Sequence, residues 1–446
     1  METTIKYIIQ FLLGEYVPKE IAEKIGYTSD KSVFHNFKIV IIPSKFFDAD
    51  FYGTEQSLPE LPLKILEEVP VIYGEPIIET IDKTVVIHAD IIASTYFLIS
   101  RYEEFVRKAE RDVHGRFPGK ESLPYRAGFI DRPVVDDYGV LLRSILREQG
   151  EDISEPEAKI SKVYLTHDVD RLTHFRSIRG LVGGLLRGIK KPKEGKKAIR
   201  SFFGKLKDDP WYTFPYLFKL DVGLRKEIGD KYCQNIVFIR SGGKKHREDR
   251  PFPNLHNHDY KTLIRYCKRR NISIGLHTSY EAGINPKLVN EEKQRLEHLA
   301  RVHTSYSRSH FLCSREPMDM LYLLNAGITD DFTLSYADMA GFRLGTCRPV
   351  KWINLISKEI TALTLHTLNV MDVSLSEKRY MYMNAHDAFL YCEQLINQIE
   401  KYNGELVLLW HNDSVENTSS SYQRELYAGI IKLLKNKFSE SGSDEQ

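Results

Sequence analysis

The sequence predicts a mixed α/β protein in two parts, and three observations carry that expectation. Short β-branched runs alternate with amphipathic stretches through the first half. A polar, acidic, aperiodic segment, EQGEDISEPEAKI at 148–160, then breaks the pattern and reads as a domain boundary. Beyond it, successive apolar runs end in residues capable of chemistry. The expected organisation is an N-terminal mixed α/β domain over 1–150 and a second domain over 160–440 whose strands alternate with helices.

Bulk properties bound the function. The chain has 446 residues, enough for two or three domains of roughly 100–200 residues each. With 42% apolar and 11% aromatic residues, disorder as the main state is excluded. Lys and Arg number 63 against 61 Asp and Glu, so no global charge field draws nucleic acid. Five cysteines (Cys233, Cys267, Cys313, Cys347 and Cys392), without a CxxC pair, argue against a disulfide framework or zinc ribbon. The apolar run Tyr7 to Leu13 is short, contains Gln10, is followed by Glu15 and lacks a basic flank and cleavage site. No uninterrupted apolar run approaches about 18 residues, and a cytoplasmic protein is expected.

In the first half, KIVIIPS (38–44), VPVIYG (69–74) and TVVIHA (84–89) have the composition of buried strands. The last runs into DIIASTYFLISRYEEFVRKAE, where Asp90 is placed to cap a single long helix. A further helix is expected over Asp136 to Arg147, after the breaker Pro133.

In the second half the expected strands are Val163 to Asp170, Asn235 to Ser241, Ile272 to Tyr280, Val302 to His310 and Glu405 to Asp413. Helices are expected at Tyr260 to Arg270, Pro286 to Ala300, Pro317 to Asn325 and His386 to Tyr402. Parallel β/α architectures place functional groups where strands finish, so these polar tails can converge on one mouth. From Arg176 to Lys207 there are eleven Lys or Arg residues and one acid, Glu194, interleaved with LVGGLL and SFF. That composition fits either a solvated insertion or weak contact with an anionic membrane surface.

Thr166-His167-Asp168-Val169-Asp170 closes an apolar strand. Carboxylates at i and i+2 of an extended chain point to one side, and two like charges held together call for a cation. A metal on one of them leaves the other as a base; the bland alternative is a strand end with Asp caps. His277 follows another apolar run, with Glu281 four residues later as a possible further ligand or a surface acid. Arg308 offers a fork that can hold a carboxylate bidentately, and His310 can face the same way. Trp410-His411-Asn412-Asp413 follows LVLL, where His411 suits a general acid tuned by Asp372, whose plain role is a turn or cap. His256 and His258 read as loop and cap residues. GxxxxGK[ST], GxSxG and HExxH are absent, which disfavours phosphate-loop, serine-hydrolase and zincin chemistry.

Taken in order, these segments resemble the polysaccharide deacetylases, the carbohydrate esterase family four group. THDVD at 166–170, HTSYE at 277–281, RSHF at 308–311, Asp372 and WHN at 410–412 stand where that family has its five motifs. Ser100-Arg101-Tyr102-Glu103-Glu104 and His114-Gly115-Arg116-Phe117 resemble an uncharacterised α/β domain that precedes such domains in Bacteroides-type bacteria. The resemblance implies a distorted (β/α) barrel of about seven strands and metal-dependent removal of N-acetyl groups from an amino-sugar-containing glycan or glycan precursor. It puts Asp168 at the base, Asp170 and His277 at metal ligands, Arg308 at the residue orienting the base, and His411, polarised by Asp372, at the general acid. The Phe311 backbone N–H falls at the oxyanion donor, and the implied metal is Zn2+, with Co2+ or Ni2+ as alternatives.

Two departures from the family pattern stand out. Val169 separates the two carboxylates, and Glu281 replaces the distal histidine of the second motif. The third ligand is therefore open between His310 and Glu281, with His310 preferred because it stands where the family usually has proline. Tyr280, Trp211 and Trp410 are candidate sugar-stacking rings, with core packing expected for at least one. Two other functions compete: a degenerate barrel that binds glycan without cleaving it, and a hydrolase of a non-sugar amide.

Overall fold

Two sheets organise the protein. The computed structural model describes residues 1–417 and 421–441. The smaller sheet has the strand order Ile25–Tyr27, Ile39–Ile41, Thr84–Ala89, Gly74–Ile81, with only the last pair antiparallel. Around it pack the helices Glu2–Leu13, Ile91–Ile99 and Val134–Glu148. Asp90 caps the second of these through Ala93 N–H, as its position suggests.

The long helix expected after Asp90 is broken. It stops at Ile99 and resumes over Tyr102–Val106, because Arg101 takes a left-handed φ of 62°. A buried cluster holds that kink: Arg101 bonds Glu104 and both Oγ and the carbonyl oxygen of Ser314. Arg343 grips the same Glu104 carboxylate. Burial raises the Glu104 pKa, but the two guanidiniums overcome it and bring it down to about 2.

The larger sheet has nine strands. Its order is Val350–Asn354, Glu359–Leu365, Asp330–Asp331, Tyr306–Ser309, Ser273–Thr278, Cys233–Arg240, Lys162–Val169, Glu405–Leu409, Val370–Met371. All pairings are parallel except the hairpin of the first two strands. No strand pairing joins its two edges among the described residues, and the sheet counts nine strands where the expectation was a distorted barrel of about seven. It curves all the same: the Tyr164 ring lies 5.0 Å from that of Phe332, which directly follows a strand four places away in the order. Tyr164, Ile236, Phe238, Leu312, Phe332, Leu368, Met371, Val407 and Leu409, from six segments, form an apolar cluster of their own on one face. Val163, Leu165, Val237, Ile239, Leu276, Leu406 and Leu408, from the opposite face, join a larger core that also contains the small sheet. Burial on both faces explains why these strands read as continuous apolar runs.

The segment 149–161 is irregular and leads directly into the strand at Lys162. No helix among the described residues is long and apolar enough to cross a membrane. All five cysteines are buried and unpaired.

Candidate active site

Strand register brings the polar tails together. Arg308 lies opposite His277, and His277 opposite Arg240; residues paired across a sheet project from the same face. Asp168 pairs with Phe238, two residues before Arg240, so Asp168 and Asp170 turn toward that face as well.

Asp170 Oδ1 stands 3.2 Å from His277 Nε2 and 3.3 Å from His310 Nε2. The three donor atoms lie within 4.8 Å of one another. Behind them, His277 Nδ1 lies 2.9 Å from the Arg308 carbonyl oxygen, and His310 Nδ1 lies 3.0 Å from Asp249 Oδ1. Both partners accept hydrogen bonds, so each Nδ1 carries a proton, and both Nε2 atoms converge on the same Asp170 oxygen. Three groups crowded on one point call for positive charge there, on an imidazole or on a bridging ion. A divalent cation satisfies all three at once, and an acceptor behind each imidazole is the usual support of a metal-bound histidine. The residues present therefore fit a metal. Burial opposes charge on His310, yet Asp170 holds its pKa above the ordinary value. Asp170 is held well below its own value, against the effect of burial, chiefly by His310 and His277.

Asp168 stands beside this group. Its Oδ2 is 3.7 Å from His277 Nε2, and its Oδ1 accepts from Arg308 Nη1 at 3.1 Å. The bidentate fork expected of Arg308 is not formed. Arg308 Nε donates to the Phe332 carbonyl and Nη1 is shared with Thr166 Oγ1, which turns the guanidinium sideways over the Phe238 ring. Its Nη2 is buried without a hydrogen-bond partner.

Across the mouth, His411 Nδ1 lies 2.8 Å from Asp372 Oδ1, and the His411 N–H donates to Asp372 Oδ2 at 2.9 Å. Ser414 Oγ also bonds this carboxylate. Burial disfavours the imidazolium, but Asp372, then Asp170 and Asp168, raise the His411 pKa well above the ordinary value. The free Nε2 points inward, 3.7 Å from Asp170 Oδ2.

Phe311 and Leu312 close the site with φ of 59° and 54°, a backbone region that costs non-glycine residues on the order of 1 kcal/mol or more each. A residue from the N-terminal part secures this turn: Arg116 Nη1 donates to the Phe311 carbonyl oxygen at 2.8 Å. Arg116 is itself fixed by Asp112 and by the Tyr380 hydroxyl. The neighbouring His114 ring lies 5.0 Å from Phe311 and 5.7 Å from Tyr280, between centroids.

Other candidates separate cleanly. Glu281 lies outside the group: its carboxylate accepts from the Lys244 and Lys245 N–H groups and pairs with the Lys245 ammonium. Trp410 is fully buried and packs on Tyr427, so it is a core residue. Tyr280 is 7% exposed and Trp211 is half-buried beneath the Arg171 guanidinium. His258 begins a helix capped by Asn257.

Asp249 is the residue that sequence reading misses. Fully buried, it takes His310 Nδ1, Arg240 Nη1 and the N–H groups of Tyr280 and Glu281. It sits in the loop HREDRP, whose composition says nothing of a metal support.

Residues 2–151 match a family of unknown function, DUF7033. No curated protein matches the chain. Among solved structures, one from Mycobacterium smegmatis, described as a proposed polysaccharide deacetylase, aligns with 65% of this chain and 94% of its own at 14% identity and a TM-score of 0.37. Another, from Bordetella bronchiseptica, is described as a proposed polysaccharide deacetylase involved in O-antigen biosynthesis. It aligns with 62% of this chain and 81% of its own at 13% identity and a TM-score of 0.29.

Proposed function

We propose that this protein is a hydrolase that removes acetyl groups from an N-acetylated amino sugar in a glycan or glycan precursor. The observation that carries the reading is the convergence of Asp170, His277 and His310 on one point, with Asp168 held separately beside it by Arg308. The five sequence motifs support the same reaction. A divalent cation on those three residues, Zn2+ in our reading, supplies polarisation of the acetamide carbonyl and lowers the pKa of water toward about 7.

The chain's own groups then divide the work. Asp168 accepts the proton of the attacking water, and Arg308 holds its carboxylate in place through Nη1. The Phe311 N–H donates to the developing oxyanion, on a turn that Arg116 holds from the far side. His411 gives its Nε2 proton to the departing amine, and Asp372 fixes the ring and stabilises its cation. The product is a free amino sugar and acetate.

Acetate release from a panel of N-acetylated sugars and small amides tests this directly. Turnover on an acetamido sugar is expected, falling by about 10²–10⁴-fold in Asp168→Asn with the circular dichroism spectrum unchanged. Undiminished turnover in that variant removes Asp168 from the reaction. Cleavage of small amides alone moves the substrate outside carbohydrates, and glycan binding without any acetate release leaves a binding module.

A further inference from the structure

The insertion between the first two strands of the large sheet folds as a helical hairpin, Ile178–Lys190 and Pro192–Phe203. Its packing inverts the usual arrangement. The first helix meets the second at Gly184 and Gly188, where a Cβ would come within 2.4 Å of the Ala198 side chain and 2.8 Å of Gly195, and at Gly180 it packs on the segment before the hairpin, where a Cβ would come within 2.6 Å of the His174 carbonyl oxygen. Only a bare backbone fits there. The bulky apolar residues are thereby turned outward at i, i+4, i+7, i+8 and i+11: Ile178 is 77% exposed, Leu186 62% and Ile189 79%, with Val182 and Leu185 between them. Ile199 and Phe203 extend the apolar surface from the second helix. Seven of the nineteen exposed large hydrophobic residues among the described residues thus fall within 178–203. A helix meant only for water buries such a stripe.

Charge identifies what covers it. Arg179, Lys190, Lys191, Lys193 and Lys196 border the stripe, all exposed and without an ion pair among the described residues. Apolar side chains flanked by unpaired cations match a lipid surface carrying anionic headgroups. We infer that the hairpin 178–203 docks this protein on an anionic membrane surface, with the Ile178, Val182, Leu185, Leu186 and Ile189 stripe entering the headgroup boundary.

The docking geometry bears on the substrate. Both feet of the hairpin are tied to the rim of the site. Asn412, next to His411, donates to the carbonyl oxygens of Arg171 and Trp211, and Asp209 accepts from the N–H groups of His174 and Phe175. Arg171 directly follows Asp170. A bilayer under the hairpin therefore borders the mouth, and the substrate class becomes an acetamido sugar carried on a lipid anchor; this last step alone rests on the hydrolase reading above.

Flotation of the full-length protein tests the docking without reference to activity. Vesicles of phosphatidylcholine alone are compared with vesicles in which about one third of the lipid is phosphatidylglycerol. Binding at least about tenfold stronger to the anionic vesicles is expected. It should be lost in the triple variant Ile178→Ser, Leu186→Ser, Ile189→Ser, while Lys190→Glu, Lys193→Glu, Lys196→Glu should abolish the preference for anionic lipid. Wild-type protein that stays in solution with both vesicles, or binding unchanged by the serine variant, overturns the inference. So does a wild-type dimer in sedimentation velocity that the serine substitutions dissolve, which would assign the stripe to a second copy. Acetate release from a soluble acetamido sugar, measured on the same samples, separates the two readings: docking without hydrolysis refutes only the reaction, and hydrolysis without docking refutes only the hairpin's role.

Discussion

Histidines meet carboxylates at both ends of the nine-stranded sheet, but the two clusters are wired differently. Where the strands Asp330–Asp331 and Glu405–Leu409 begin, His366 has a separate carboxylate on each ring nitrogen: Glu405 on Nδ1 at 2.7 Å and Asp330 on Nε2 at 3.1 Å. Its ring stacks on Phe332. Burial opposes the charge, but the two carboxylates overcome it and push the His366 pKa up to about 9. Every polar atom of that imidazole is used, which makes it a structural ion cluster. At the opposite end, His277 and His310 have separate partners only at Nδ1, and their two Nε2 atoms crowd onto one and the same Asp170 oxygen, at 3.2 and 3.3 Å. A separate partner for every nitrogen marks a scaffold, and two imidazoles sharing one carboxylate oxygen mark a candidate site.

The largest effect that would sharpen this contrast is at His411, the proposed general acid. His411→Ala should lower turnover by about 10²–10⁴-fold and leave metal content unchanged, as read by steady-state acetate release and elemental analysis. A variant that keeps its rate breaks the assignment of the proton donor. Next is the support behind the proposed metal site: Asp249→Asn should weaken divalent-ion affinity by about 10–100-fold, measured by competition with a chromogenic chelator. Unaltered affinity would mean that His310 needs no partner at Nδ1.

Arg116→Ala should reduce kcat by about tenfold, the equivalent of one charge-assisted hydrogen bond, with KM and metal affinity unmoved. Arg116→Lys should restore part of the loss, and an effect confined to thermal stability would make the contact purely structural. The scaffold cluster gives the smallest effect and a defined sign. A histidine whose folded pKa lies above its unfolded value of about 6.5 stabilises fully below that value and loses its contribution as pH rises toward about 9. The stake is about 3 kcal/mol at most. Urea midpoints should therefore fall between pH 6 and 10, more steeply than in His366→Gln, and parallel profiles would contradict the cluster's role.

The grouping of the candidate site was legible wherever side-chain placement follows local geometry. Period-two alternation puts Asp168 and Asp170 on one side of a strand end, and it does so in the folded chain. His310 rather than Glu281 joins Asp170 and His277, because Glu281 turns back to cap the backbone at Lys244 and Lys245. What could not be read depends on contacts far apart in sequence. Asp249 lies 61 residues from His310, and Arg116 lies 195 residues from Phe311. The break at Arg101 has the same origin, since the helical periodicity of DIIASTYFLISRYEEF carries no sign of a guanidinium committed to Ser314. Likewise, the basic composition of 176–207 could be read, but the outward turn of its apolar stripe depends on how Gly184 and Gly188 seat one helix on another.

Metal content bears most directly on the central claim. Elemental analysis of the full-length protein, dialysed against Zn2+ and then freed of excess, should give about one ion per chain for the wild type and for Glu281→Ala. His310→Ala should retain little, with its circular dichroism spectrum unchanged. A wild-type chain that holds no divalent ion, or one whose ion survives loss of His310 and disappears with Glu281, would contradict the account.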